Sequence, residues 1–264
     1  MSFKSKVLAA AATLTLVGGV GATGVLTAGT ASAASPSCGF TCINLFSYQY
    51  GTHFSPNYIV DVLRQGQKTG QPIILFRAAN YDPAEDWTVS FQGTTDDFFA
   101  AGLVSSAVAL HYGCVSTLDG GWDGGGSCSD VGGPFPNDPA FENQYSPFGV
   151  ESGLCMGVAS TAFQDEGVTL QPCGVSSKTV WILDTYAQFS VAFLEGYVPL
   201  INGSDTNFSE PFVLTYPSNG YPTDLPRPQL TVQNLLGFSF HLPSLFGTSE
   251  LDNQLWGATF GEVR

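Results

Sequence analysis

Short apolar segments alternate with polar turns rich in glycine and proline along most of this chain. The segment 87–91 alternates apolar and polar residues at every step, which is typical of a strand with one face in a core. Many short strands separated by turns predict an all-β fold. We expect strands near residues 46–51, 58–63, 72–76, 87–91, 154–158, 168–171, 180–183, 212–217, 229–232 and 254–258.

The distance from a strand valine to the next tryptophan is nearly constant. It is 25 residues from Val62 to Trp87, 23 from Val158 to Trp181 and 24 from Val232 to Trp256. Chance is an alternative, because tryptophan is a common core residue in any β protein. Three similar spacings, each with an aromatic turn upstream, favour internal repetition. We place the repeats at about 44–91, 141–185 and 211–260, with insertions at 92–140 and 186–210.

The first insertion contains an apolar stretch, 103–112, which we expect to be a strand or a short helix. A glycine-rich segment, 119–133, follows it. Three aspartates there could offer oxygens to calcium, but their spacing matches no calcium-binding loop known to us. We therefore predict no metal and interpret the segment as a surface loop held by a disulfide. No cofactor is expected.

The N-terminus has the three parts of a secretory signal peptide. Lys4 and Lys6 form a basic start, residues 7–25 are mostly apolar, and Ala31-Ser32-Ala33 is a small-residue cleavage site. A permanent membrane anchor is the alternative, since the apolar run is nearly long enough to span a bilayer. The interrupted run and the cleavage pattern favour a signal peptide over 1–33, followed by a single secreted domain over 34–264.

Acidic residues outnumber basic ones by 22 to 8, a formal net charge of −14. Such a surface repels phosphate backbones and anionic lipids, so neither nucleic acid nor membrane is expected as a partner after signal cleavage. The same acidity keeps an extracellular protein soluble.

Six cysteines lie beyond the predicted cleavage site, and an even number in an exported chain indicates disulfides. The cysteines can pair in many ways, and the sequence alone does not choose among them. We predict pairing in chain order: Cys38–Cys42, Cys114–Cys128 and Cys155–Cys173. Zinc is disfavoured, because the chain has no Cys-x-x-Cys motif and its three histidines are far apart.

The second repeat carries a resemblance to a known family. It contains Gly-Leu-Cys-x-x-Val from Gly153, Gly-x-x-Leu-Gln-Pro-Cys from Gly167, and then Trp181. This pattern resembles a ricin-type β-trefoil lectin repeat. The resemblance implies three blocks of four strands around a barrel, and a disulfide between the second and third strands of this block. The family's closing Gln-x-Trp motif occurs in full once, at 254–256, preceded by Asn253.

The resemblance also implies a sugar site within one block. In the family, a strand carboxylate accepts hydrogen bonds from sugar hydroxyls, an aromatic ring stacks on the sugar's apolar face, and an amide completes the contacts. In the first block, Asp61 matches the acid and Phe76 the aromatic residue, while Asn80 or Glu85 could replace the amide. Strand alternation predicts that Asp61 faces solvent if Val60 faces the core.

The other blocks match the sugar-site pattern less well. The second block has Gly157 and Gln171 at the acid and aromatic positions, so we expect no site there. In the third block Thr231 replaces the acid, although Asn253 and Gln254 are retained. The alternative is that none of these residues binds sugar: the acid is simply solvated, the ring is core, and Gln254 stabilises the fold through the backbone.

No motif indicates an enzyme. The chain lacks Gly-x-Ser-x-Gly and His-Glu-x-x-His, and its neighbouring acidic pairs diverge or are solvated. A glycosidase pair drawn from distant segments stays open as an alternative. We predict a secreted, non-catalytic carbohydrate-binding protein with degenerate sugar sites. The second alternative is an exported protein-binding or inhibitory trefoil scaffold that acts through its loops.

Overall fold

The computed structural model describes residues 42–48, 51–52, 55–56, 58–79, 82–113, 137–183, 197–217, 228–235 and 252–260. These residues all belong to one compact unit, Ser35–Arg264. The predicted signal peptide, Asn80, the Cys114–Cys128 pair and the glycine-rich segment lie outside the described residues. Within the described ranges, no helix has the length and apolar character needed to cross a bilayer.

The strands form three successive blocks of four. The first block comprises β1 (Ile43–Ser47), β4 (Tyr58–Val62), β5 (Ile73–Arg77) and β6 (Trp87–Thr94). The second comprises β7 (Pro139–Tyr145), β8 (Leu154–Gly157), β10 (Thr169–Pro172) and β11 (Trp181–Leu183). The third comprises β12 (Leu200–Asn202), β13 (Phe212–Thr215), β14 (Thr231–Asn234) and β15 (Trp256–Phe260). Three short strands are additional: β2 (Gly51–Thr52), β3 (Ser55–Pro56) and β9 (Glu166–Gly167).

Strand pairing nearly closes the sheet into a barrel. β1 pairs with β15 over its full length, so the first and last described strands are neighbours. β6 pairs with β7 across the boundary between the first and second blocks, and β11 pairs with β12 across the next boundary. β2 pairs with β3, and β9 adds to the edge of β14.

A ring of three backbone hydrogen bonds joins the blocks. The amide of Ile73 donates to the Val168 carbonyl at 3.1 Å, and the Val168 amide donates to the Leu230 carbonyl at 2.7 Å. The Leu230 amide closes the ring by donating to the Ile73 carbonyl at 2.8 Å. Ile73 begins the third strand of its block, and Val168 and Leu230 immediately precede the third strands of theirs, so the ring marks the three-fold relation among the blocks.

The three tryptophans occupy equivalent buried positions, as the sequence predicts. Each indole Nε1 donates to a carbonyl on the second strand of its own block. The pairs are Trp87 with Val60 at 3.0 Å, Trp181 with Met156 at 2.9 Å and Trp256 with Leu214 at 2.8 Å. The fold is a β-trefoil, which confirms the predicted all-β, β-trefoil-like barrel of three pseudo-repeats.

The strand assignment predicted for the third block is wrong. The contact of Trp256 with Leu214 makes β13 the second strand of the block, whereas the sequence pattern makes it the first. The opening strand β12 lies in the segment 186–210, which is predicted to be an insertion. Val232 is buried, but it lies on the third strand, and Tyr216 is the counterpart of Val62. The long connection between β14 and β15 produces the matching Val-to-Trp spacing by coincidence.

The first insertion contributes two helices, α1 (Thr95–Ala100) and α2 (Ser106–Tyr112). The apolar stretch 103–112 is therefore mainly helix. α1 begins with a capping box, in which the Thr94 amide donates to the Asp97 carboxylate and the Asp97 amide donates to the Thr94 hydroxyl. Phe98 of α1 and Val108 of α2 pack in a cluster with Val180, Ile201 and Val213, which covers the second and third blocks.

The disulfide Cys155–Cys173 joins the second and third strands of the second block, as predicted. Its Cα atoms are 5.0 Å apart, a normal separation for a disulfide. Cys42 is also disulfide-bonded. The predicted pairs Cys38–Cys42 and Cys114–Cys128 therefore stay predictions.

Candidate functional site

Asp61 and Phe76 lie on one face of the first block. β4 and β5 pair in antiparallel register, with Asp61 opposite Ile74 and Ile59 opposite Phe76. Directly opposed residues in a sheet share a face, so Asp61 and Phe76 are diagonal neighbours. Their face is opposite to the one that carries Val60 into the barrel core.

Asp61 is buried, although it points away from the barrel core. Its exposed fraction is only 3%. A 3-10 turn, Pro83–Glu85, contacts β4 and lies against this part of the block. The expectation that Asp61 faces solvent is therefore wrong: alternation turns the side chain outward, but a neighbouring turn covers it. Phe76 is half-buried.

Three carboxylates converge at this turn. Oxygens of Asp61, Asp82 and Glu85 all lie within 4.8 Å of one another. Asp61 and Glu85 are buried, and Asp82 is half-buried. From sequence, Glu85 is predicted only as a substitute for an amide, and Asp82 is not predicted to take part in a site. The Asp-Pro start of a tight turn just before the tryptophan is the signal that could have indicated Asp82.

Local hydrogen bonds orient these carboxylates. Oδ1 of Asp82 accepts from the Ala84 amide at 2.9 Å and from the Gln65 side chain at 3.1 Å. The first of these bonds caps the turn, and Pro83 suits its opening position. Glu85 accepts the Ala79 amide at 2.9 Å through Oε1 and 3.2 Å through Oε2.

Burial strongly perturbs the titration of Glu85. Burial raises the pKa of Glu85 to about 9, and the charges of Asp61, Asp82 and Asp86 add to the rise, while the bond from the Ala79 amide opposes it. Glu85 therefore keeps its proton at neutral pH unless a cation replaces that proton.

Tyr145 is fully buried in the barrel core and lies opposite Trp87 in the β6–β7 pair. The Tyr145 ring packs against Trp87 with centroids 5.5 Å apart. Burial raises the pKa of the Tyr145 hydroxyl, and Asp61, Asp86 and Asp82 raise it further. The hydroxyl is buried and has no hydrogen-bond partner among the described residues.

The same two positions meet in every block. The first position is the residue after the one whose carbonyl accepts the tryptophan indole. The second position is the residue two before that tryptophan in the sequence. The pairs are Asp61 with Glu85, Gly157 with Thr179, and Thr215 with Gln254. Thr215, not Thr231, therefore stands at the acid position of the third block, which corrects the alignment made from sequence.

We call the place where these two positions meet the corner of a block. In the second and third blocks the corner is occupied by packing contacts and internal hydrogen bonds. A Cβ added to Gly157 would lie 2.6 Å from the Lys178 carbonyl oxygen, so no side chain fits there. In the third block the Gln254 side chain donates to Thr215 Oγ1 at 3.2 Å and to the Asn234 carbonyl at 2.9 Å. Neither corner holds a carboxylate at these two positions.

Asn253 and Gln254 are not brought to the first-block cluster. Gln254 is fully buried at its own corner, and Nδ2 of Asn253 donates to the Tyr216 carbonyl at 2.8 Å. Both amides therefore make internal bonds in the third block. Asn80, the other candidate amide, lies outside the described residues.

Glu142 is a buried carboxylate that sequence reasoning missed. It lies on β7 and accepts the Gly174 amide at 2.9 Å, as Glu85 accepts the corresponding Ala79 amide in the first block. The Thr179 hydroxyl also donates to it. Glu142 lines a cleft of about 320 Å³ together with Ser90, Phe91, Leu103 and Gly174. The sequence offered one signal for Glu142: it is a single charged residue in a strand whose other residues are apolar or carry amides.

Several solved proteins have a similar fold. The designed three-fold symmetric protein ThreeFoil is 13% identical over 82% of this chain and 96% of its own, with a TM-score of 0.44. A mosquitocidal holotoxin is 12% identical over 84% of this chain and 17% of its own, with a TM-score of 0.43. The Polyporus squamosus lectin, solved with a human-type influenza-binding epitope, is 12% identical over 84% and 49%, with a TM-score of 0.41. No protein-family model and no curated protein matches the sequence.

Proposed function

We propose that the protein is a secreted, non-catalytic carbohydrate-binding protein with a single sugar site in the first block. The observation that carries the proposal is the shared face of Asp61 and Phe76, beside the further carboxylates of Asp82 and Glu85. A sugar presents a face of C–H groups and an edge of hydroxyls. An aromatic ring next to acceptor oxygens matches both.

Asp82 is the acceptor that a sugar hydroxyl would meet first. It is half-buried, whereas Asp61 and Glu85 are buried. Asp61 then acts mainly by contributing negative charge to the cluster and by helping to orient it. Because few acceptors are accessible, we expect weak binding, with a Kd of about 1 mM, which corresponds to roughly −4 kcal/mol.

The residues at the Phe76 position in the second and third blocks support a sugar site in the first block alone, within the described part of the chain. Gln171 and Gln233 replace the aromatic ring at the position of Phe76. The Gln171 side chain donates to Thr169 Oγ1 at 2.8 Å, and the Gln233 side chain donates to Asp165 at 2.9 Å. These side chains are thus already engaged in bonds within the protein.

The test is calorimetric titration of the purified protein with a panel of mono- and oligosaccharides. Asp82→Asn removes the accessible charge, and Phe76→Leu keeps apolar bulk while removing the flat ring. Both should weaken binding at least tenfold. Phe91→Leu, on the exposed ring beside the Glu142 cleft, is the matched control and should bind like the wild type. If only the Phe91 variant lost binding, the result would indicate that the sugar binds in that cleft and not in the first block.

A protein partner is the second candidate function. Phe148 and Val150 are 40% and 65% exposed and lie together in the connection after β7. Phe148 has a φ of 56°, which is strained for an aromatic residue, and its amide donates to Asp86 at 2.7 Å. Exposed apolar side chains on loops suit protein recognition. If no saccharide binds the wild type, the carbohydrate proposal fails and this surface becomes the preferred candidate.

A further inference from the structure

A β-bulge on β6 shapes the cleft beside Glu142. Phe91 is opposite Glu142 in the β6–β7 ladder, and the register shifts between Val89 and Phe91, so Ser90 is the extra residue of the bulge. Val89 packs against the barrel core, and regular alternation would turn Phe91 to the same core. The bulge instead puts Phe91 on the outer face, beside Glu142. It therefore gathers an aromatic ring and a hydroxyl around one carboxylate.

Glu142 forms the buried floor of this cleft. Its exposed fraction is 1%, whereas Ser90, Phe91 and Gly174 in the walls are exposed. Oε2 of Glu142 accepts from the Ser90 hydroxyl at 3.3 Å and from the Gly174 amide at 3.1 Å, and both donors line the cleft. Oε1 accepts from Thr179, which is not part of the lining. Oε2 is therefore the oxygen that faces the cleft.

The donors that hold Glu142 are all neutral. They are Ser90, Gly174 and Thr179, and within the described part of the chain no lysine, arginine or histidine joins them. A carboxylate offers about four acceptor positions, so these three donors leave about one, on the side of Oε2. Buried charges in proteins are normally paired with an opposite charge. The cleft thus has a place for one further donor, and a cationic donor supplies the opposite charge.

The walls of the cleft are apolar and come partly from the first insertion. Ala101 and Leu103 lie in the connection between α1 and α2. The Phe91 ring is 36% exposed and is fixed by an edge-on contact with Phe98 of α1, with centroids 4.5 Å apart. An aliphatic stem can pack against these walls, and a cation is attracted to the face of an aromatic ring.

We propose that this cleft binds the side chain of a lysine carried by a protein partner. The ammonium group donates to Glu142 Oε2 and to the Ser90 hydroxyl oxygen, while the aliphatic stem packs against Phe91 and Leu103. Lysine suits the cleft better than arginine. A guanidinium group binds a carboxylate best through two parallel bonds, and Glu142 has about one acceptor position left.

The surroundings of the cleft favour a protein as the carrier of this lysine. Most of the lining residues are exposed, so the cleft holds a side chain but does not enclose a whole ligand. Val175 follows Gly174 and is 70% exposed, which gives the rim apolar surface for the residues beside the lysine. The formal net charge of −14 attracts a basic partner over longer distances.

The proposal does not depend on carbohydrate binding. The cleft lies on the β6–β7 pair and uses neither Phe76 nor Asp82. Phe91→Leu should therefore keep any sugar affinity and weaken lysine binding, whereas Asp82→Asn should do the reverse. Failure of one proposal is thus distinguishable from failure of the other.

The experiment titrates the purified full chain with the capped peptide acetyl-Gly-Lys-Gly-amide. The same peptide with norleucine keeps the stem without the charge, and one with arginine tests the headgroup. Two-dimensional NMR follows the Gly174 amide, which contacts Glu142 directly. The lysine peptide should bind at least tenfold more tightly than the norleucine peptide and more tightly than the arginine peptide. Equal affinities for lysine and norleucine would overturn the proposal.

The variants test the site itself. Glu142→Gln keeps an oxygen for the Gly174 amide and removes the charge, so it should weaken lysine binding at least tenfold. Glu166→Gln is the matched control, because Glu166 is a buried carboxylate that accepts the Ser160 amide at 2.9 Å outside the cleft. Wild-type affinity in Glu142→Gln would contradict the assignment.

Two surface variants keep the test valid if Glu142→Gln unfolds. Ser90→Ala and Phe91→Leu change exposed residues and should each weaken lysine binding, while Phe163→Leu, at a ring that is 53% exposed outside the cleft, should not. Unchanged affinity in both cleft variants would reject the site. Binding of butylammonium without binding of the lysine peptide would reject a protein partner in favour of a small amine.

Discussion

Gln254 donates a hydrogen bond from its side-chain amide to the Thr215 hydroxyl at 3.2 Å. At the same corner of the first block, the positions of these two residues are held by Glu85 and Asp61. The Glu85 carboxyl keeps its proton at neutral pH, and the Asp61 side chain places a second buried acid where the third block has a hydroxyl. The first block therefore has an acidic cluster where the third block has a hydrogen bond between an amide and a hydroxyl.

Glu85→Gln should stabilise the protein at neutral pH. The glutamine still accepts the Ala79 amide, and folding no longer has to protonate a side chain that is ionised in the unfolded chain, because burial raises the pKa of Glu85 to about 9. We expect the free energy of unfolding to rise by about 1 kcal/mol. Urea unfolding at neutral pH measures the change. A decrease would contradict this account of the corner.

Truncation of a repeat tryptophan should be severely destabilising. Trp181 is fully buried and donates to the Met156 carbonyl, so Trp181→Ala leaves both a cavity and an unpaired carbonyl. The expected loss is roughly 3–5 kcal/mol in urea unfolding. Val175→Ala is the control, since that side chain is 70% exposed and should change stability very little. Similar losses in both variants would refute the assigned role of the tryptophan.

Loss of the Cys155–Cys173 bond should cost roughly 3 kcal/mol in the chain-entropy account, given a sequence separation of 18 residues. The variant to test is the double replacement of both cysteines by alanine, which avoids a free thiol. Peptide mapping of the unreduced wild-type protein checks the pairing directly. A peptide joining Cys155 to any other cysteine would contradict the structure.

His111 should make stability depend on pH near neutrality. Partial desolvation lowers the pKa of His111 below 6.5, although Asp205 opposes the shift. The unfolded state therefore binds a proton first, so this contribution to stability is present above pH 6.5 and is lost as the pH falls below it. His111→Phe can keep the stacking on Phe208, which has centroids 4.5 Å apart, and cannot titrate. Thermal unfolding from pH 7.5 to 5.5 should show a steeper loss in the wild type than in this variant.

The barrel strands were largely predictable, because each puts alternate side chains into the core. Residues 87–91 show that alternation in the sequence and form most of β6, whereas residues 58–62 form β4 from an apolar run with one polar residue, Asp61. The strands of the third block were not predictable. β12 is short, and the long connection before β15 contains apolar and aromatic residues that resemble strands. Strand count alone could not reveal the shift; the carbonyl partner of Trp256 does.

The site was only partly predictable for a different reason. Alternation correctly turns Asp61 away from the barrel core, but no periodicity indicates that Pro83–Glu85 folds over it. The carboxylate of Asp82 reaches the cluster through a turn conformation rather than through strand register. Phe76 was easier to place, because its strand partner follows from the β4–β5 pairing.

The bonds from Ile73 to Val168, from Val168 to Leu230 and from Leu230 back to Ile73 have a kinetic consequence. Ile73 and Leu230 lie near opposite ends of the described chain, so the last of these bonds cannot form until all three blocks have met. Contacts between distant residues make folding slow, because the chain loses loop entropy before those contacts stabilise it. During synthesis, a partly emerged chain would leave backbone donors and acceptors of the early blocks exposed, and it would gain its final resistance to proteases only when the last block arrives.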